Sequence, residues 1–84
     1  MTVNPGFGGQ DLLPETLPKI AALRARCGGL GLTPHIEADG GQNGETIGAT
    51  VAAGADVIVA GTAIFGASDY AAAIAGIREA ASPI

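Results

Sequence analysis

A carboxylate stands between an apolar, strand-like run and two glycines in "IEADGG", residues Ile36 to Gly41. A carboxyl group at a strand end can take up and return a proton, or ligate a cation. Gly40 and Gly41 beside it allow positive φ and let the main chain approach a ligand closely. Two more glycine-rich stretches, "NPGFGGQ" (4–10) and "GTAIFG" (61–66), follow other apolar runs. Consecutive backbone N–H groups in such loops bind anions without any lysine. Together they point to acid/base work on a small anionic substrate. Glycine also serves plain tight connections, and composition alone favours that simpler use.

The elements that must position these residues follow from periodicity and breakers. Met1 to Val3 read as the end of a strand. Pro14 to Arg26 read as a helix, with a Glu15–Lys19 pair and an apolar face of Leu17, Ile20, Ala21 and Leu23, closed by the glycines of "CGGLGL". His35 to Asp39 is the next strand and "GGQNGE" the turn after it; Glu45 to Ala53 is a short helix ended by Gly54. "ADVIVAG" has the pattern of a buried parallel strand, and "GTAIFG" that of a loop or single helical turn. Asp69 caps a last helix, Tyr70 to Ala81, ahead of Pro83. Strand–helix alternation at this spacing means βαβ units and a parallel sheet, in which all strand C-termini share one edge.

Along the strand, His35, Glu37 and Asp39 share one face while Ile36 and Ala38 take the other. In a (β/α)8 barrel the apolar pair would meet the helices and the acidic set would point inward, where that fold keeps its catalytic groups. A metal cluster of the three is disfavoured, because side chains two apart on a strand are ~7 Å apart. His35 is expected near the strand start, Glu37 in an inward hydrogen-bond network, and Asp56 as a solvated turn residue. Phe7 is expected either to cover a ligand or to pack its own loop.

Composition limits the rest. The chain has 84 residues, 48% of them hydrophobic, and 14 glycines, which fits one small, marginally stable α/β domain. A net charge of -4 argues against nucleic-acid binding. The single cysteine, Cys27, excludes an internal disulfide and is expected to be a buried, inert thiol in a reducing, cytoplasmic setting. There is no apolar run long enough to span a membrane and no signal-peptide pattern.

"MTVNPGFGGQ", "IEADGG" and "AGADVIVAGTAIFG", in this order and spacing, resemble the ribulose-phosphate 3-epimerase family over essentially the whole chain. The resemblance implies the C-terminal portion of a phosphate-binding (β/α)8 TIM barrel, from the end of strand six to helix eight. Residues 1–84 would then be a partial barrel domain of three βα units with the first strand truncated. It implies that Gly6, Phe7, Gly8 and Gly9 form a mobile loop over the substrate phosphate. Gly40 and Gly41, with Gly61 and Thr62, would form two backbone phosphate sites. Met1 would line the active site, and Asp39 would serve both as one of two acid/base carboxylates and as a ligand of a divalent metal ion (Zn, Fe, Mn or Co). The implied reaction is epimerisation at C3 between D-ribulose 5-phosphate and D-xylulose 5-phosphate.

Gln42 and Thr62 depart from the family pattern, which more often has an aliphatic residue and a serine there. The larger departure is that the family's second aspartate and two metal-binding histidines have no counterpart in this sequence. The chain is therefore expected to be inactive alone, and to associate with itself or with the missing N-terminal barrel part. An enzyme acting on allulose 6-phosphate, and a non-catalytic phosphate-binding or assembly module, are the competing readings.

Overall fold

Two prolines open the first helix. The computed structural model describes residues 1–82, and in it Pro14 starts a 3-10 turn, Pro14–Thr16, that runs into α1, Leu17–Gly29. Pro14 and Pro18 sit where no intrahelical N–H is required. Because Glu15 lies in the tighter turn, it does not stand one α-turn from Lys19, and the expected ion pair is absent among the described residues. The inner stripe of this segment is Thr16, Leu17, Ile20, Arg24 and Cys27: the expected Leu17 and Ile20 are half-buried, but Ala21 and Leu23 face outward. Leu23 is 50% exposed. Arg24 takes its place on the inner face, because its guanidinium binds carbonyls across the domain (below). Cys27 is buried, as its position after an apolar face required.

The exit of α1 is a Schellman closure. The N–H of Leu32 donates to the Cys27 carbonyl at 2.8 Å and that of Gly31 to the Gly28 carbonyl at 3.1 Å. Gly31 has a φ of 70°, a conformation glycine adopts without a Cβ penalty. The helix therefore runs through Gly28 and Gly29, three residues beyond Arg26.

Two parallel strands follow, β1 (Glu37–Asp39) and β2 (Val57–Val59), with Ala38 opposite Ile58. Ile36 and Ala38 are buried with Ala55, and Ile20 and Ile58 pack on them, forming the core. The alternation expected for 35–39 holds: Ile36 and Ala38 are inside, His35, Glu37 and Asp39 outside. Both strands are shorter than the sequence pattern. Met1–Val3 forms no strand; its place beside β1 is marked by one bond, Thr2 N–H to the Asp39 carbonyl at 2.9 Å. The chain turns away at once, since the Leu13 N–H takes the Thr2 carbonyl. Glu37 is exposed and joins no hydrogen-bond network among the described residues, because nothing covers that face of the sheet.

Three helices complete the layer. α2 is Ile47–Ala53, preceded by a turn in which the Asn43 side chain accepts from the N–H groups of Glu45 and Thr46 at 2.8 and 3.1 Å. α3, Thr62–Phe65, is the single helical turn expected in "GTAIFG", and α4 is Tyr70–Ala81. Asp69 caps α4 by accepting from Ala72 N–H at 3.1 Å. α1 packs on α2, and α4 on α2 and α3. No helix among the described residues is long and apolar enough to cross a membrane.

At the N-terminal end of the strands Asp56 is exposed, as expected, but it is also a hub. It accepts from Ile36 N–H at 2.6 Å, from His35 Nδ1 at 2.8 Å and from Arg24 Nη2 at 3.4 Å. Arg24 also donates to the carbonyls of Gly54 and Pro34. One carboxylate thus ties α1, the entry to β1 and the entry to β2. The hydrogen bond from His35 first, and that from Ile36 next, hold the Asp56 carboxyl below the ordinary aspartate value of 3.8. A depressed carboxyl pKa contributes stability above its unfolded value and loses it as pH falls through the folded one. Urea midpoints of the chain are expected to drop on acidification below about pH 4. In Asp56→Asn that acid limb should be shallower; an identical limb would show that other carboxylates control it.

Candidate functional site

The opposite edge, where β1 and β2 end, carries the three glycine-rich loops. In the first, the Gln10 side chain folds back and donates through Nε2 to the carbonyls of Asn4 at 2.7 Å and Phe7 at 2.9 Å. This closes residues 4–10 into one loop, with Gly6 and Gly9 at φ 145° and 75°. Phe7 is 75% exposed, standing on the rim and packing into nothing. Gly8 and Gly9 face α3: a Cβ at either would lie 3.7 or 4.0 Å from the Thr62 hydroxyl oxygen.

The second loop is glycine by necessity. Gly40 and Gly41 have φ of 129° and 66°. A Cβ at Gly41 would stand 2.2 Å from the Leu12 nitrogen, and one at Gly40 2.5 Å from a Val3 methyl. The main chain of the first segment therefore lies directly on this turn. Thr2, almost fully buried, fixes the approach by donating through Oγ1 to the Gly40 carbonyl at 2.6 Å. Gly61 differs: its φ is -85° and a Cβ there would meet nothing within 4 Å. The fold does not demand glycine at that position.

These loops border one open cleft of about 510 Å³, within the range of small-molecule sites. Met1, Gly6, Phe7, Gly8 and Gly9 line it from the first segment. Asp39, Gly40 and Gly41 line it from the end of β1, and Gly61 and Thr62 from the end of β2. Every residue that the family resemblance assigned to the site thus borders the same space. The Asp39 carboxylate is exposed on its wall with no hydrogen-bond or ion-pair partner among the described residues. No lysine or arginine lines the cavity, so an anion there can be held only by N–H and O–H donors.

Four polar residues on the wall, Gln10, Asp11, Gln42 and Asn43, were not assigned a role by sequence reasoning. In the sequence Gln42 is marked only as a departure from the family pattern, and an asparagine just ahead of a helix is an Asx-turn signal that could have located Asn43. Asp11 adds a second carboxylate to the wall.

A metal ion does not find a complete site in this stretch. Among the described residues no three His, Cys, Asp or Glu side chains converge, and His35 lies at the far end of β1 beside Asp56. Asp39 can offer one ligand only.

A profile of the Ribulose-phosphate 3 epimerase family matches residues 1–65. The chain belongs to this family. It is 54% identical to the ribulose-phosphate 3-epimerase of Synechocystis, over 99% of this chain and 36% of that protein. It is 47% identical to the chloroplastic ribulose-5-phosphate-3-epimerase of Arabidopsis thaliana, over 99% of this chain and 30% of that protein. The Mycobacterium bovis ribulose-phosphate 3-epimerase is 48% identical over 96% of this chain and 35% of its own length. The chain spans about a third of the length of these curated relatives.

The two kinds of glycine in this family site separate experimentally. Gly41→Ala combines positive φ with a main-chain collision and should lose at least ~1–3 kcal/mol of stability in denaturant titrations. Gly61→Ala should stay within about 0.5 kcal/mol of the parent. A neutral Gly41→Ala would mean that the Leu12 segment does not lie on the turn as described.

Proposed function

We propose that this stretch forms the phosphate cradle and one acid/base wall of a ribulose-phosphate 3-epimerase acting on D-ribulose 5-phosphate and D-xylulose 5-phosphate. The observation that carries the reading is the single cavity bordered by Asp39 and all three glycine-rich loops. A sugar phosphate fits this wall by its chemistry: the phosphate takes main-chain N–H groups, and the carbon chain reaches toward the carboxylate. Phosphate binding far from the reacting carbon positions that carbon, which lowers the entropic part of the barrier.

Epimerisation removes a proton next to a carbonyl and returns one to the opposite face, so it needs an acid/base group on each side. In this reading Asp39 serves one face. The other carboxylate comes from the part of the relatives' length that this chain does not span. So do the ligands that would join Asp39 around a divalent ion, whose contribution when bound is Lewis-acid stabilisation of the developing charge. The stretch is read as the end of strand six to helix eight of a (β/α)8 barrel. That placement accounts for helices on one side of the sheet and an uncovered face bearing Glu37, Asp39 and Val59. The uncovered face is where the rest of the barrel, or a second copy, would sit.

The 84-residue chain is accordingly expected to show no epimerase turnover by itself in a coupled assay with added divalent metal. It should still bind ribulose 5-phosphate, with amide shifts confined to Gly8, Gly9, Gly40, Gly41, Gly61 and Thr62. Metal-dependent turnover above the buffer rate would overturn the claim that Asp39 needs a partner carboxylate from outside this stretch. Shifts elsewhere, or none, would overturn the cradle.

A further inference from the structure

Gln42 sits under the cavity in a setting that ordinary core packing does not favour. Its side chain is buried, at 5% exposure, yet Oε1 has no hydrogen-bond partner among the described residues. A buried acceptor left without a donor lowers stability, and an apolar side chain of the same length would avoid that loss. The amide must therefore be explained by its other end. Nε2 stands 3.4 Å from both the Thr2 hydroxyl oxygen and the Gly40 carbonyl oxygen. That same carbonyl already accepts from Thr2 Oγ1 at 2.6 Å.

The Gly40 carbonyl and the Gly41 N–H belong to one planar peptide unit and point in opposite directions. Two donors on the carbonyl oxygen consequently fix where the N–H is aimed. The Gly41 N–H itself donates to nothing among the described residues, and Gly40, Gly41 and Gln42 all border the cavity. Beyond the close packing of Val3 and the Leu12 main chain, those two donors restrain rotation of this peptide.

We infer that Gln42 is a positioning residue for oxyanion binding, its amide clamping the Gly40–Gly41 peptide so that the Gly41 N–H is held ready for a phosphate oxygen. The inference rests on the reading of the cavity as a phosphate cradle and assigns to it a residue outside the glycine loops. Preorganised donors of this kind bind charge without having to reorient first.

Stability and binding should then move in opposite directions in Gln42→Leu and Gln42→Met, tested in the 84-residue chain. The unfolding midpoint is expected to stay the same or rise, because the orphaned oxygen is gone. Affinity for inorganic phosphate and for ribulose 5-phosphate, followed by the Gly41 amide shift, is expected to weaken ~3–10-fold, the value of one modest hydrogen bond. The Gly41 amide in ligand-free protein should become more mobile, read as a lower backbone order parameter. Unchanged affinity with an unchanged Gly41 order parameter overturns the inference alone. Loss of both stability and binding overturns it too, and makes Gln42 a packing residue. A parent chain that takes up neither phosphate overturns the cradle and, with it, this role for Gln42.

Discussion

The contact on which the rest depends is the approach of the first segment to the turn after β1. Thr2 gives its N–H to the Asp39 carbonyl and its hydroxyl to the Gly40 carbonyl, so residues 1–3 are hooked to the strand exit at two successive positions. The absence of side chains at Gly40 and Gly41 lets Val3 and the Leu12 main chain close in. Without this approach the first glycine loop would have no fixed relation to Asp39. With it, loops far apart in the sequence become walls of one space.

The two ends of the sheet are built differently. At the strand N-termini, charged side chains do the joining: Asp56 receives donors from Arg24, His35 and the Ile36 main chain. At the strand C-termini, close main-chain packing and neutral hydrogen bonds do it, and the Asp39 carboxylate is left unengaged. An ion-pair hub at one end leaves the other free to keep an unpaired acid and unpaired N–H groups, which a ligand can use. This division agrees with the general separation of stabilising and ligand-binding ends in sheets of parallel strands.

Much of this was legible in the sequence, for local reasons. Alternation at 35–39 put Ile36 and Ala38 inside and Asp39 outside, since the period of a strand is fixed by its geometry. Asp69 and the glycines after Cys27 marked helix ends because capping is a short-range property. Strand C-termini share an edge in any parallel sheet, and that alone gathers the three loops. Long-range partners were not legible. Nothing near Asp56 in the sequence reports that Arg24 will reach it, and the rotation of the α1 stripe follows from that contact. Likewise the need for glycine at position 41 comes from Leu12, 29 positions away, and not from the turn alone.

A cavity wall without a lysine or arginine also shapes how an anion arrives. The chain carries a net charge of -4, and two carboxylates, Asp11 and Asp39, border the space. The long-range field therefore opposes any anionic visitor, and the attractive amide dipoles act only at contact. Raising ionic strength screens the repulsion while leaving the short-range bonds nearly intact. Entry into this stretch is thus quickened by salt, the reverse of what a basic funnel produces.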